Sequence, residues 1–167
     1  RQAFARLQPL QLSYIEQPLP ASQDAELPAL EEYGIPVMLD ESLNSEAALQ
    51  RLLAAEGRLW GHLKLVKLGG IAPLVSAARQ LKAAGVPFMI GQMNEGHAAT
   101  AAALQLCYLL QPAFAELYGA DGLTDDPASG LTYQQGRIRA SDIPGLGVRF
   151  DMTTATLLQE FSDAKTR

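Results

Sequence analysis

Residues 62–70 of this 167-residue chain read HLKLVKLGG, and a lysine inside such an apolar run is unusual. Lys64 stands between two leucines, where burial disfavours the charged form of its side chain. Two other ionisable residues, Glu16 and Asp40, end earlier apolar runs, and the three residues are spaced 24 positions apart. This spacing predicts that each of them lies at the C-terminal end of a strand in a repeated strand-and-helix unit.

Five short apolar runs are typical of strands that are buried on both faces of a parallel sheet. We predict these strands at residues 12–16, 37–40, 62–66, 87–91 and 114–117. The predicted helices are Gln2–Leu7, Asp24–Tyr33, Ser45–Ala55, Ala72–Ala84, Ala98–Leu110 and, within the tail formed by residues 119–167, Thr154–Ala164.

Alternating strands and helices occur in two α/β architectures, the doubly wound sheet and the (β/α)₈ barrel. A doubly wound sheet usually carries a Gly-rich first turn of the GxGxxG type, which this sequence lacks. In a barrel every strand end faces one mouth, and catalytic groups come from several strands. The polar residues at successive strand ends therefore favour the barrel. A complete barrel has eight strands and about 250 residues, so we expect this chain to form about five βα units of a TIM-type barrel, with the other strands preceding Arg1.

Composition excludes several other classes. The net charge of −5 and the lack of any Lys/Arg run argue against a nucleic-acid partner. The longest apolar stretch, Ala98–Leu110, is too short to cross a membrane. A single cysteine, Cys107, excludes a disulfide framework and fits a reducing compartment, so we expect a cytoplasmic location.

Glu16 and Asp40 are candidate metal ligands. Two carboxylates at adjacent strand ends of one mouth repel each other, which costs free energy unless a positive charge lies between them. A hard divalent cation such as Mg²⁺ supplies that charge and prefers oxygen ligands. A pair of surface acids is the alternative interpretation.

Lys64 is expected to point into the barrel, while its leucine neighbours face the helices. A lysine in apolar surroundings is a suitable general base, and it is also the Schiff-base nucleophile of many barrel aldolases. A solvated side chain is the alternative. Lys67, at the exit of the strand, is expected to be solvated, and His62 is expected to be an interior histidine rather than a catalyst.

The loop at residues 91–96 leads from a strand exit into a helix N-terminus, which suits a substrate carboxylate. Gln92, Asn94 and Glu95 are therefore candidate substrate-binding residues. Glu116 is a candidate for the far side of the same pocket, with a buried acid paired to a neighbouring strand as the alternative.

Five motifs in order resemble the enolase superfamily in its mandelate racemase/muconate lactonizing enzyme branch. The resemblance covers nearly the whole chain. The motifs are YIEQP (14–18), LDES (39–42), LKLVKLGGI (63–71), MNEG (93–96) and IPGLGV (143–148).

The resemblance implies that Glu16 and Asp40 match metal ligands on the fourth and fifth barrel strands, and that Lys64 matches the acid/base on the sixth. It implies proton transfer α to a carboxylate through an enolate, with Mg²⁺ (or Mn²⁺) as cofactor. The substrate would be a small carboxylic acid, and the enzyme a cycloisomerase, racemase, epimerase or dehydratase. Dipeptide epimerases of the branch tend to carry Asp-x-Asp on the eighth strand, and the segment FAELY at 114–118 lacks it.

The same resemblance implies parts that this sequence lacks: an Asp ligand on the third strand, a Lys-x-Lys on the second, and an N-terminal lid domain. We therefore expect the chain to be inactive alone and to require the N-terminal half of the barrel, from the same gene product or another chain, in a homo-oligomer. Two alternatives remain open at this point: a Schiff-base aldolase that uses Lys64, and an inactive half-barrel fragment or interaction module.

Overall fold

The computed structural model describes residues 2–159, which form a parallel sheet of five strands with helices between them. The strands pair in chain order, and every pair is parallel. They are β1 (Ile15–Glu16), β2 (Val37–Leu39), β3 (Leu59–Lys64), β4 (Phe88–Gly91) and β5 (Phe114–Ala115). The α-helices are α1 (Gln2–Leu7), α2 (Glu46–Ala54), α3 (Leu65–Leu68), α4 (Ile71–Ala83) and α5 (His97–Leu110). The 3₁₀ helices are Gln8–Leu10, Ala21–Tyr33 and Gly119–Gly122.

The sheet curls so strongly that side chains from its first and last strands meet. In a flat sheet β1 and β5 would lie about 19 Å apart, because neighbouring strands are about 4.8 Å apart. Instead, the ring centroids of Tyr14, just before β1, and Phe114 of β5 are 4.9 Å apart. Trp60 of β3 packs against both rings. The five strands therefore form an arc with an inner face, which confirms the predicted half-barrel.

Residues along each strand alternate between the inner face and the helices, as the period of two in a strand requires. Leu63 in β3 belongs to the apolar core that also contains Leu81 of α4 and Leu52 of α2, and all three are fully buried. His62 and Lys64, on either side of Leu63, are turned to the inner face and are also buried. This alternation is the one predicted for the apolar run around Lys64.

All five strands differ from their predicted bounds, by one residue in β2 and β4 and by more in β1, β3 and β5. β1 and β5, the two edge strands of the sheet in the described part of the chain, pair over two residues each. β3 begins at Leu59 and ends at Lys64, where we predicted a strand until residue 66. Residues 65–68 form a helical turn, and Gly69, with a φ of 87°, closes it by donating its N–H to the carbonyl of Leu65.

The helix predicted at Asp24–Tyr33 forms as 3₁₀ helix from Ala21 to Tyr33. Pro28 lies inside it and has no N–H to donate, so a regular α-helical hydrogen-bond ladder is broken there.

The tail begins with a 3₁₀ turn and continues as two short antiparallel strand pairs. β6 (Ala128–Ser129) pairs with β9 (Arg149–Phe150), and β7 (Thr132–Gln134) pairs with β8 (Arg137–Arg139). The helix predicted at Thr154–Ala164 is wrong for residues 154–159, which have no helical structure, and its remainder lies outside the described residues. No helix in the described part of the chain is long and apolar enough to cross a membrane.

Candidate functional site

The predicted site residues come from the C-terminal ends of all five strands of the sheet. Glu16 is the last residue of β1, Asp40 follows β2, and Lys64 ends β3. Gln92 directly follows β4, and Glu116 directly follows β5. Since the strands are parallel, these residues lie at one edge of the sheet, which is the mouth of the arc.

Asp40 forms ion pairs with two lysines in this mouth. Lys64 Nζ donates to Asp40 Oδ2 at 2.7 Å, and Lys67 Nζ donates to Asp40 Oδ1. Burial alone would raise the pKa of Asp40, but the hydrogen bonds from the two lysines outweigh it and hold that pKa below its usual value. Asp40 is therefore an anion held between two cations.

The prediction of a solvated Lys67 is wrong. Its side chain is only 15% exposed, and Nζ also donates to the backbone carbonyls of Asp40, at 2.6 Å, and His62, at 2.9 Å. Burial lowers the pKa of Lys67, although contact with Asp40 opposes this shift. The turn at residues 65–68 brings Lys67 back over the strand ends, and its position after the apolar run gave no signal of this reversal.

Glu16 contacts His62, which lies on the inner face of β3. His62 Nδ1 lies 2.7 Å from Glu16 Oε1 and 3.7 Å from Asp40 Oδ1. A carboxylate oxygen of Glu116 joins this group, since ligand atoms of Glu16, His62 and Glu116 all lie within 4.8 Å of one another. Burial lowers the pKa of His62 to about 4, so the ring is neutral near pH 7.

The amide of Gln17 holds the segment that carries Asp40. Gln17 Oε1 accepts hydrogen bonds from the backbone N–H groups of Asp40, at 2.9 Å, and Ser42, at 3.2 Å. Gln17 Nε2 donates to Ser42 Oγ and to the carbonyl of Leu19, both at 2.8 Å. Gln17 belongs to the motif at 14–18, but that motif alone gives no signal of this clamp, so the role of Gln17 was not predicted.

The three candidates on the loop after β4 are placed differently from one another. Gln92 is 2% exposed, and its Nε2 donates to Thr100 Oγ1 of α5 at 2.9 Å. Asn94 is exposed, and Glu95 is half-buried, with Oε2 accepting the backbone N–H of Met93 at 3.2 Å. Asn94 is thus the most accessible of the three, and substrate binding by these residues stays a prediction.

A cleft of about 300 Å³ opens beside the Asp40–Lys64 pair, and two apolar side chains line it together with Lys67. Met93 Sδ lies 3.8 Å from Lys64 Nζ, and Val66 borders the same cleft. Both apolar side chains are more than half exposed, at 53% and 60%. The lysine amine therefore faces a cleft whose rim is apolar.

The donor atoms at the mouth suit a hard divalent cation. Burial raises the pKa of Glu16, and the negative charge of Asp40 raises it further. A cation between them would relieve this repulsion, and carboxylate oxygens are the ligands that Mg²⁺ prefers. Glu16 and Asp40 thus fit a magnesium ion, although the two of them supply only part of its coordination shell.

Comparison with known proteins identifies the class of molecule to which this half-barrel belongs. Residues 1–154 match the family described as enolase C-terminal domain-like, and the chain belongs to that family. The assignment to the enolase superfamily from sequence motifs is therefore confirmed.

Two characterised relatives and one solved structure illustrate the similarity. An N-succinyl-L-Arg/Lys racemase from Bacillus cereus is 31% identical over 96% of this chain, and a chloromuconate cycloisomerase from Cupriavidus necator is 32% identical over 87% of it. The structure of a dipeptide epimerase from Methylococcus capsulatus, complexed with Mg and the dipeptide L-Arg-D-Lys, superposes with a TM-score of 0.80 and 32% identity over 89% of this chain.

The chain spans less than half the length of these proteins: 44% of the racemase, 40% of the cycloisomerase and 43% of the epimerase chain in the structure. The relatives are racemases, epimerases and cycloisomerases, all of which are isomerases.

Proposed function

We propose that the full-length protein containing this chain catalyses Mg²⁺-dependent proton transfer at the carbon α to a carboxylate, with Lys64 as the acid/base. The observation that carries this proposal is the position of Lys64, a residue that is 7% exposed at a strand end and whose amine is bonded to Asp40 at 2.7 Å. A lysine held beside a carboxylate at the mouth of the arc is well placed to take a proton from a bound substrate or return it.

Glu16 and Asp40 would hold the magnesium ion. When bound, the ion would supply positive charge next to the substrate carboxylate, which stabilises the negative charge that develops as the α proton leaves. Lys67 keeps Asp40 in place from the opposite side, which frees the Lys64 amine to turn towards substrate. The apolar rim at Val66 and Met93 limits the access of water to that amine.

The substrate class that fits is a small carboxylic acid. Asn94, Glu95, Gln92 and Glu116 are the candidates on this chain for contacts with the rest of the substrate. The remaining metal ligand and a base opposite Lys64 would come from the N-terminal half of the barrel, and assembly as a homo-oligomer is part of the same proposal. The absence of Asp-x-Asp at 114–118 favours a racemase or cycloisomerase over a dipeptide epimerase.

The test is α-proton exchange in D₂O, followed by NMR, with a panel of small carboxylates and the full-length protein. Lys64→Ala is expected to lower exchange by about 10²–10⁴-fold, the usual contribution of a general acid/base. Lys82→Ala, which removes an exposed lysine of α4, is the matched control and should exchange at the wild-type rate. Exchange that persists in Lys64→Ala would contradict the assigned base.

Two other outcomes would redirect the proposal. Covalent trapping of Lys64 by borohydride with a carbonyl substrate, together with activity that survives EDTA, would identify a Schiff-base aldolase. A full-length protein that binds neither Mg²⁺ nor carboxylates would identify a non-catalytic module.

A further inference from the structure

His62 is fully buried beneath Glu16, and the two nitrogens of its ring have very different surroundings. Nδ1 faces carboxylate oxygens: Glu16 Oε1 at 2.7 Å and Asp40 Oδ1 at 3.7 Å. Carboxylates accept hydrogen bonds and do not donate them when ionised. Nδ1 is therefore the ring nitrogen whose proton has an acceptor, and it donates that proton to Glu16.

The other nitrogen of His62 faces backbone. Nε2 is buried and has no hydrogen-bond partner among the described residues. It lies against Gly91 of β4, where an added Cβ would be 2.0 Å from it. A second proton on Nε2 would be buried without an acceptor, which is costly. The ring is thus fixed between Glu16 on one side and Gly91 on the other. Of its two nitrogens, only Nδ1 faces a hydrogen-bond acceptor.

We propose that His62 is a positioning residue that fixes the carboxylate of Glu16 for metal binding, an inference that rests on the proposed function. The bond from Nδ1 holds Oε1, and the other carboxylate oxygen of Glu16 would be available to a cation. Loss of such an outer-shell donor typically lowers metal affinity about 10–100-fold.

Three variants of the full-length protein separate this role from simple packing. The amide nitrogen of Asn stands at nearly the same distance along the side chain as Nδ1 of His, so His62→Asn retains the donor to Glu16. The amide nitrogen of Gln reaches as far as Nε2, next to Gly91, so His62→Gln fills more of the space but loses the donor. His62→Leu fills the space without any donor. If His62 only fills space, the Gln variant should bind metal more tightly than the Asn variant. If His62 positions Glu16, the Asn variant should bind metal more tightly than the Gln variant.

The first measurement is Mn²⁺ affinity by electron paramagnetic resonance, with thermal unfolding of each variant to confirm its fold. We expect His62→Asn to bind Mn²⁺ as tightly as the wild type, and His62→Gln and His62→Leu to bind it about 10–100-fold more weakly. Wild-type affinity in His62→Gln and His62→Leu would overturn the inference, as would a loss confined to His62→Asn.

The second measurement needs no metal. In the metal-free protein labelled with ¹⁵N-histidine, NMR is expected to find a proton on Nδ1 of His62. A proton on Nε2 would overturn the inference even if the metal results agreed with it. Failure of the wild type to bind Mn²⁺ would instead overturn the proposed function, and with it the metal role of His62. A proton on Nδ1 would still identify the bond to Glu16.

Discussion

Gly91 and His62 lie on neighbouring strands in such close contact that a Cβ on Gly91 would be 2.0 Å from Nε2 of His62 and 2.9 Å from Cε1. The ring is fully buried, and its other edge is held by Glu16 at 2.7 Å. It therefore has little room to move away from an added methyl group. A glycine at this position of β4 is required by the histidine across from it in β3.

Gly91→Ala is expected to destabilise the full-length protein by about 1–3 kcal/mol, the usual cost of overpacking a close-packed interior. Urea denaturation measures the loss. Gly122→Ala is the matched control, because a Cβ at Gly122 has no neighbour within 4 Å among the described residues and its φ lies outside the left-handed region. Equal destabilisation by the two substitutions would show that the contact with His62 is not the cause.

Asp126 caps the N-terminus of α5 from a loop that lies 29 residues further along the chain. Its Oδ2 accepts the backbone N–H of His97 and lies 2.8 Å from His97 Nδ1, while its Oδ1 accepts the N–H of Ala128 at 2.9 Å. A cap of this kind contributes about 0.5–2 kcal/mol. We expect Asp126→Ala to lower the free energy of unfolding by that amount, and Asp125→Ala, at an exposed neighbour, to leave it unchanged.

The contribution of Asp126 should depend on pH. Burial alone would raise the pKa of Asp126, but hydrogen bonds from the backbone N–H groups of His97 and Ala128 outweigh it, and the pKa of the folded state is lowered. A lowered pKa means that the stabilisation is complete above the ordinary value of 3.8 and is lost as the pH falls through the lower folded value. The stability difference between wild type and Asp126→Ala should therefore be constant near pH 7 and shrink in strong acid. A difference that grew in acid would contradict this assignment.

Local signals in the sequence were sufficient for α1, α2, α4 and α5, but not for the helical turn α3. The prediction for α2, Ser45–Ala55, agrees with the observed Glu46–Ala54 because Ser45 is an N-cap whose side chain accepts the N–H of Ala48. Such a signal lies within a few residues of the helix end. The inner-face orientation of Lys64 was predictable for a similar reason, since alternation along a strand is a local property.

The contacts between the site residues were not predictable, because they depend on how distant segments are arranged. The bond from His62 to Glu16 joins residues 46 positions apart, and the clamp from Gln17 to Ser42 joins residues 25 apart. Lys67 reaches Asp40 because the chain reverses directly after β3, whereas the apolar pattern suggested that the strand continued. Strand ends predict which residues share a mouth, but not which of them bond to each other.

Gln17 offers a direct test of how the segment at Asp40 is held. Gln17→Ala leaves the N–H groups of Asp40 and Ser42 without their acceptor and removes two further hydrogen bonds. Unsatisfied buried donors cost about 1–3 kcal/mol each, so we expect a loss of stability of at least this size in urea denaturation.

Gln11→Ala is the control for the Gln17 substitution. Gln11 shares the left-handed backbone conformation, with a φ of 50° against 35° for Gln17, but it is exposed. Backbone strain from an alanine at a positive φ is therefore present in both variants. If Gln11→Ala destabilised the protein as much as Gln17→Ala, backbone strain rather than the lost hydrogen bonds would explain the effect.

Cys107 on α5 should be protected from thiol reagents while the protein is folded. Burial raises the pKa of its thiol to about 11 from an ordinary value of 9.0, so at a given pH below both values the thiolate fraction falls about 100-fold. The thiolate is the reactive form. We expect iodoacetamide at pH 8 to label the peptide that contains Cys107 about 100-fold more slowly in the native protein than in guanidinium chloride, as measured by mass spectrometry.

A Cys107→Ser variant that carries Ser76→Cys, at an exposed position of α4, should be labelled at nearly the same rate in both conditions. Rapid native labelling of Cys107 would contradict the raised pKa, because a thiol with an ordinary pKa would react at nearly the same rate in the folded and the unfolded protein.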